Sequence, residues 1–187
     1  MQRSRRYTLL VKVGHGTTII RLVRTHTGGS VIQSRAIYDS LGGEVIDRAL
    51  KAQALTQAGA ATGVCPLAGM SPGQERVFDH DLRTAKHTLD HEAAADVQVW
   101  TPAGIVTTFL FQETAELAAN QLAAWLRDAA HDALVHAAVD PDAVSLCCLA
   151  GGPLADPLLC ELLMEVMPWP VVLAQPHADC RQPIRSP

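Results

Sequence analysis

Four residues, Gly14-His15-Gly16-Thr17, stand between two apolar runs and form the stretch best suited to touch a phosphate. Glycines on either side of one residue let the backbone take positive φ and turn peptide N–H groups outward, the geometry a phosphate oxygen needs. The same residues also read as a plain Gly-rich hairpin turn. A second candidate is the run His80, His87 and His91 with Asp79, Asp81 and Asp90, in which His87 and His91 have the i, i+4 spacing of a metal pair. No third ligand is specified nearby, so a solvated polar face is expected and no metal site is assigned. His131 and His136 are expected on the exposed side of a long helix. No Ser/His/Asp or Cys/His arrangement has a supporting motif, so no catalytic residue is assigned.

These residues need elements to hold them. Tyr7, Leu9 and Val11 alternate with Thr8, Leu10 and Lys12, and apolar residues resume at Ile19, Ile20, Leu22 and Val23, which predicts a hairpin. Thr27-Gly28-Gly29 is a second turn, and Val31 to Tyr38 adds a third antiparallel strand. The spacing of Val45, Ile46, Ala49 and Leu50 predicts a helix from Glu44 to Gln57, and residues 58 to 73 read as a loop. Ser71, Pro72 and Gln74 form a capping-box start for a second helix with Phe78, Leu82, Ala85 and Leu89 as its buried stripe. Asp96 to Thr101 and Ile105 to Phe111 form a second hairpin. A long helix follows from Gln112 to about Ala138, with Leu117, Leu122, Trp125, Leu126, Ala129 and Leu134 on its apolar face. Val144 to Ala150 is continuously apolar, as a strand buried on both faces would be. Asp156-Pro157 starts a helix through Met167, and Pro170 to Ala174 is a last strand. Crossover helices make the later strands parallel, so the expected fold is α/β with a mixed sheet.

Composition bounds the function classes. A chain of 187 residues with 48% hydrophobic content can bury one core, or a core with a smaller insertion. A net charge of −4 and a pI of about 6.0 give no electrostatic case for nucleic acid or an anionic membrane. Five cysteines, Cys65, Cys147, Cys148, Cys160 and Cys180, lack C-x-x-C spacing and predict reduced thiols. Lys12 and Gly14 interrupt the first apolar run, and no apolar run reaches the ~18 residues of a membrane span. With arginine favoured over lysine and alanine abundant, a cytoplasmic bacterial protein is expected.

Four segments in register carry a resemblance. Val11-Lys12-Val13-Gly14-His15-Gly16-Thr17, Leu41-Gly42-Gly43-Glu44-Val45-Ile46-Asp47 and Leu149-Ala150-Gly151-Gly152-Pro153 resemble the second phosphate loop, the Gly-Gly-Glu helix start and the adenosine loop of DnaK-type heat-shock chaperones. Ala85-Lys86-His87-Thr88-Leu89 is similar to that family's adenine-side helix. The resemblance implies the second lobe of a ribonuclease-H-like, actin-like ATPase domain. Its core would span 7–42 and 113–175, with a small α+β subdomain inserted at 43–112 and tails at 1–6 and 176–187. It implies weak ATP or ADP contacts through Gly14, His15, Gly16, Thr17, Glu44, Lys86, Gly151 and Gly152.

The departures shape the expectation. Lys12 stands where the family has an aspartate that helps hold magnesium-bound water, and a cation cannot replace a carboxylate toward a hard metal ion. Magnesium chemistry is therefore expected to fail before all phosphate affinity does. His15 replaces the middle glycine of the loop, Arg83 a glutamate, His87 an arginine, Asp90 a serine and Ala155 an adenine-stacking arginine. The family's first lobe and peptide-binding domain have no counterpart in this sequence. The resemblance thus implies a degenerate nucleotide-binding lobe without independent hydrolysis, whose partner is another protein or the missing first lobe. The alternatives are a nucleotide-independent scaffold or interaction module on the same fold, and a fragment of a longer ATP-binding protein.

Overall fold

The computed structural model describes residues 6–66 and 70–174. The expected tails, 1–6 and 176–187, lie outside the described residues apart from Arg6, as does Cys180. The protein is α/β. Strands β1 (Arg6–Val13), β2 (Thr17–His26) and β3 (Gly29–Asp39) come first, followed by helices α1 (Glu44–Thr62) and α2 (Pro72–Leu89). Strands β4 (Ala94–Thr101) and β5 (Gly104–Phe111) precede α3 (Gln112–His136), β6 (Val144–Ala150), α4 (Pro157–Val166) and β7 (Val171–Leu173).

The chain divides into two compact units. One comprises the described residues through Gly43 and those from Gln121 onward; the other is Glu44–Asn120. In the first, a five-strand sheet has the order β3-β2-β1-β6-β7. β1 pairs antiparallel with β2, and β2 with β3, while β1, β6 and β7 are parallel.

One face of this sheet is the core. Leu9, Val11, Ile20, Leu22, Cys147 and Leu149 are buried there, and Tyr38 on the same face donates from its hydroxyl to the α3 carbonyl of Ala129 (2.9 Å). The chain steps from β1 to β6 to β7 in one direction across the sheet, and right-handed crossovers in one direction put their helices on one face. α3 and α4 therefore share the Leu9 face. On the other face Leu10, Leu146 and Cys148 are only half-buried, which corrects the expectation that Val144–Ala150 is covered on both sides.

In the second unit, β4 and β5 pair as a two-strand antiparallel sheet. The Ser71 capping box forms as expected: Ser71 N–H donates to Gln74 Oε1 (2.8 Å), and Gln74 N–H donates to Ser71 Oγ (3.4 Å). Phe78, Leu82, Ala85 and Leu89 are the buried stripe. α1 runs five residues past the expected end at Gln57. Alanine-rich turns favour helix, Ala58 is buried, and the helix stops where Gly63 takes φ +70° and donates to the Gly59 carbonyl (2.8 Å).

Two expectations on helices fail. Leu117 is 72% exposed and Trp125 is exposed, because small alanines, Ala119, Ala123, Ala130 and Ala133, complete the buried face of α3 instead. His91 falls beyond the end of α2, in the turn after its cap Asp90, so His87 and His91 do not share a helical face.

Candidate functional site

β1, β3 and β6 all run in one direction, so their carboxyl ends finish at the same edge of the sheet. In open α/β sheets that edge is where ligands bind. Three glycine-containing segments leave it: Gly14-His15-Gly16 after β1, Leu41-Gly42-Gly43 after β3 and Gly151-Gly152 after β6.

The segments are locked to one another through backbone. Gly14 N–H donates to the Thr17 carbonyl (2.8 Å), and Gly43 N–H donates to the Gly14 carbonyl (3.1 Å). The fully buried Thr18 hydroxyl donates to the Leu41 carbonyl (2.6 Å), fixing the start of β2 to the segment after β3. A Cβ on Gly42 would overlap the carbonyl oxygens of Gly14 and His15, and one on Gly151 would overlap the Val13 carbonyl. Gly151 also takes φ +133°, a conformation that L side chains rarely adopt.

This geometry revises the role of the first loop. Gly14 does not lie in the left-handed region; glycine is required there because a Cβ would stand 2.7 Å from the Thr17 carbonyl oxygen. Its N–H is turned into the loop rather than outward. His15 is exposed at the tip, and Thr17 opens β2 opposite Asp39. Gly152 is exposed with open space around its would-be Cβ, so only Gly151 of that pair is sterically required. Lys12 is exposed on β1, between Ile19 of β2 and Ala150 of β6.

Six of the eight expected residues, Gly14, His15, Gly16, Thr17, Gly151 and Gly152, thus belong to the first unit, on the segments leaving β1 and β6. Glu44 and Lys86 belong to the second. Glu44 opens α1 and pairs with Arg48 one turn on (3.4 Å). Lys86 reaches from α2 to Asp47 of α1 (2.9 Å), so its ammonium already has a carboxylate partner. A matching contact sits further along the same helices, where Lys51 bonds Asp79 (2.8 Å) and lies over the Phe78 ring. Arg83 is exposed, and the ring of His87 stands 3.8 Å from the Asp90 carboxylate.

No group of three His, Cys, Asp or Glu side chains converges among the described residues, and the position before the loop carries an ammonium.

Three features escaped sequence reasoning. Gly42 is the most tightly enclosed glycine beside Gly151, signalled only by the Leu41-Gly42-Gly43 run. Asp47 is the partner of Lys86, and no local pattern joins residues 39 apart. Third, an open pocket of about 410 Å³ is lined by Arg127, Asp128, His131, Asp132, Pro168 and Trp169. There Arg127 is held by its neighbour Asp128 (2.7 Å), and the Trp169 indole N–H donates to the Pro141 carbonyl (3.0 Å). Burial, and secondarily Asp132, raises the nearby Tyr38 hydroxyl pKa.

Set against models of known protein families and against the curated proteins, the chain matches none. Among the described residues no helix is long and apolar enough to cross a membrane.

Proposed function

We propose that the chain is a degenerate second lobe of a DnaK-type, actin-like ATPase domain, which binds ATP or ADP weakly and does not hydrolyse it alone. The observation that supports this reading is the convergence of Gly14–Thr17, Leu41–Gly43 and Gly151–Gly152 at the carboxyl edge of the sheet. These are the segments that carry the resemblance, and three of their glycines, Gly14, Gly42 and Gly151, are required by close backbone approach. The phosphate end of the nucleotide would meet Gly14 to Thr17, and the nucleoside would meet Gly151 and Gly152. Hydrolysis requires metal and flanking charge to stabilise the transferring phosphoryl group. Lys12, standing where the resemblance calls for a carboxylate, works against the metal.

Calorimetric titration with ATP and ADP, with and without magnesium, tests the reading. The expected result is millimolar affinity, about −4 kcal/mol, that is indifferent to magnesium. Micromolar, magnesium-dependent binding, about −8 kcal/mol, would overturn the degenerate site. Silence at millimolar nucleotide would favour a nucleotide-independent scaffold. That second reading is supported by the inward Gly14 N–H and by the engagement of Lys86 with Asp47.

A further inference from the structure

The open face of the five-strand sheet is both apolar and cationic. Ile19 and Val23 of β2 and Ile32 and Ile37 of β3 lie on it, with Ile32 and Ile37 more than half exposed. Lys12, Arg21 and Arg35 point the same way, and Arg21 stands directly opposite Arg35 across the β2–β3 ladder. Like charges in that position repel, and among the described residues none of the three has an ion pair. Sheets with parallel strands are ordinarily covered on both faces, whereas here α3 and α4 share one. Asp39 is the carboxylate that the register places on this face.

We infer that this face docks an amphipathic helix of another protein, with an apolar stripe flanked by Glu or Asp. Charge selects this occupant. A second copy would set the same three cations against themselves. The chain's own segments outside the described residues are also basic, with Arg3 and Arg5 at one end and Arg181 and Arg185 against Asp179 at the other. An acidic helix covers the face that the described residues leave open, supplies carboxylates beyond Asp39 and relieves the Arg21–Arg35 repulsion. This holds whether or not nucleotide binds.

The test uses the full chain and three synthetic helical peptides of about 18 residues, long enough for five turns, sharing one leucine stripe and flanked by Glu, Gln or Lys. Fluorescence anisotropy should rank Glu above Gln by roughly tenfold or more, with Lys weakest and the preference falling as salt rises. Amide shift changes should map to β1, β2 and β3 at Leu10, Arg21 and Ile37. The double variant Arg21→Glu/Arg35→Glu should reverse the ranking, while Arg21→Gln/Arg35→Gln should flatten it with the circular dichroism melt retained. Equal affinity for all three peptides, no binding of the Glu peptide, or shifts confined to other surfaces would overturn the proposal. So would concentration-dependent dimerisation lost in the double variant, or binding to phosphatidylserine vesicles that the Glu peptide fails to displace.

Discussion

At the scale of single residues, backbone space decides more than side-chain chemistry. Gly151 and Gly152 are adjacent, yet only the first has a carbonyl in the way and a positive φ. Gly151→Ala should therefore cost about 1–3 kcal/mol or more, whereas Gly152→Ala should stay within about 0.5 kcal/mol. Urea unfolding midpoints measure both, and equal losses would show that the β1–β6 approach is not the constraint. Cys147 supplies a second residue-level test. Burial, and next Cys148, pushes its thiol pKa up to about 12 from an ordinary 9.0. A raised pKa means that the folded protein holds a proton the unfolded chain releases. The contribution is therefore complete below pH 9 and is lost as pH climbs toward 12, at about 1.4 kcal/mol per pH unit. Stability measured between pH 9 and 10.5 should fall and approach that slope toward the upper end, and Cys147→Ala should reduce the fall, leaving what Tyr38 and Cys160, also raised by burial, contribute. In the native state near neutral pH, a thiol reagent should label exposed Cys65 and leave Cys147 untouched until unfolding.

At the scale of elements, the open sheet face carries a stability cost that can be removed. Arg35→Glu converts the Arg21 cross-strand pair from repulsive to attractive and should stabilise the chain by about 0.2–1 kcal/mol at low salt. The gain should shrink as salt screens the pair, which a urea series at two ionic strengths reads directly. Elements of this kind were legible in the sequence because period and caps are local. The hairpin at Gly14, the Ser71 capping box and the Asp156 cap each depend on residues within a few positions of one another. The failures have non-local causes. Val144–Ala150 reads as doubly buried because it is apolar throughout, but the side on which its flanking helices fall depends on the direction of strand order. Leu117 and Trp125 outrank alanine in hydrophobicity, yet close packing of α3 selects small residues. At the site, glycine positions could be read off the chain. Which of them faced a carbonyl, and that Asp47 engages Lys86, could not.

At the scale of the molecule, each of the two units has a core of its own. Leu9, Ile20, Leu126 and Leu149 belong to one; Leu50, Phe78, Val99 and Leu110 belong to the other. The chain crosses between them twice, at Gly43–Glu44 and within α3 at Asn120–Gln121. The first crossing is a turn that can transmit little, but the second is a continuous helix, whose hydrogen bonds must break if one side melts and the other does not. Phe78→Ala separates the two possibilities. Removing a fully buried phenylalanine should cost about 3–5 kcal/mol in its own unit. Native-state hydrogen exchange should then speed the amides of α2, β4 and β5 by roughly two to three and a half decades, with about 1.4 kcal/mol per decade. Amides of β1 and β6 should keep their protection, and those of α3 around Asn120 should fall between, because fraying must propagate through the helix. An equal loss in β1 and β6 would mean that α3 couples the units into one cooperative structure.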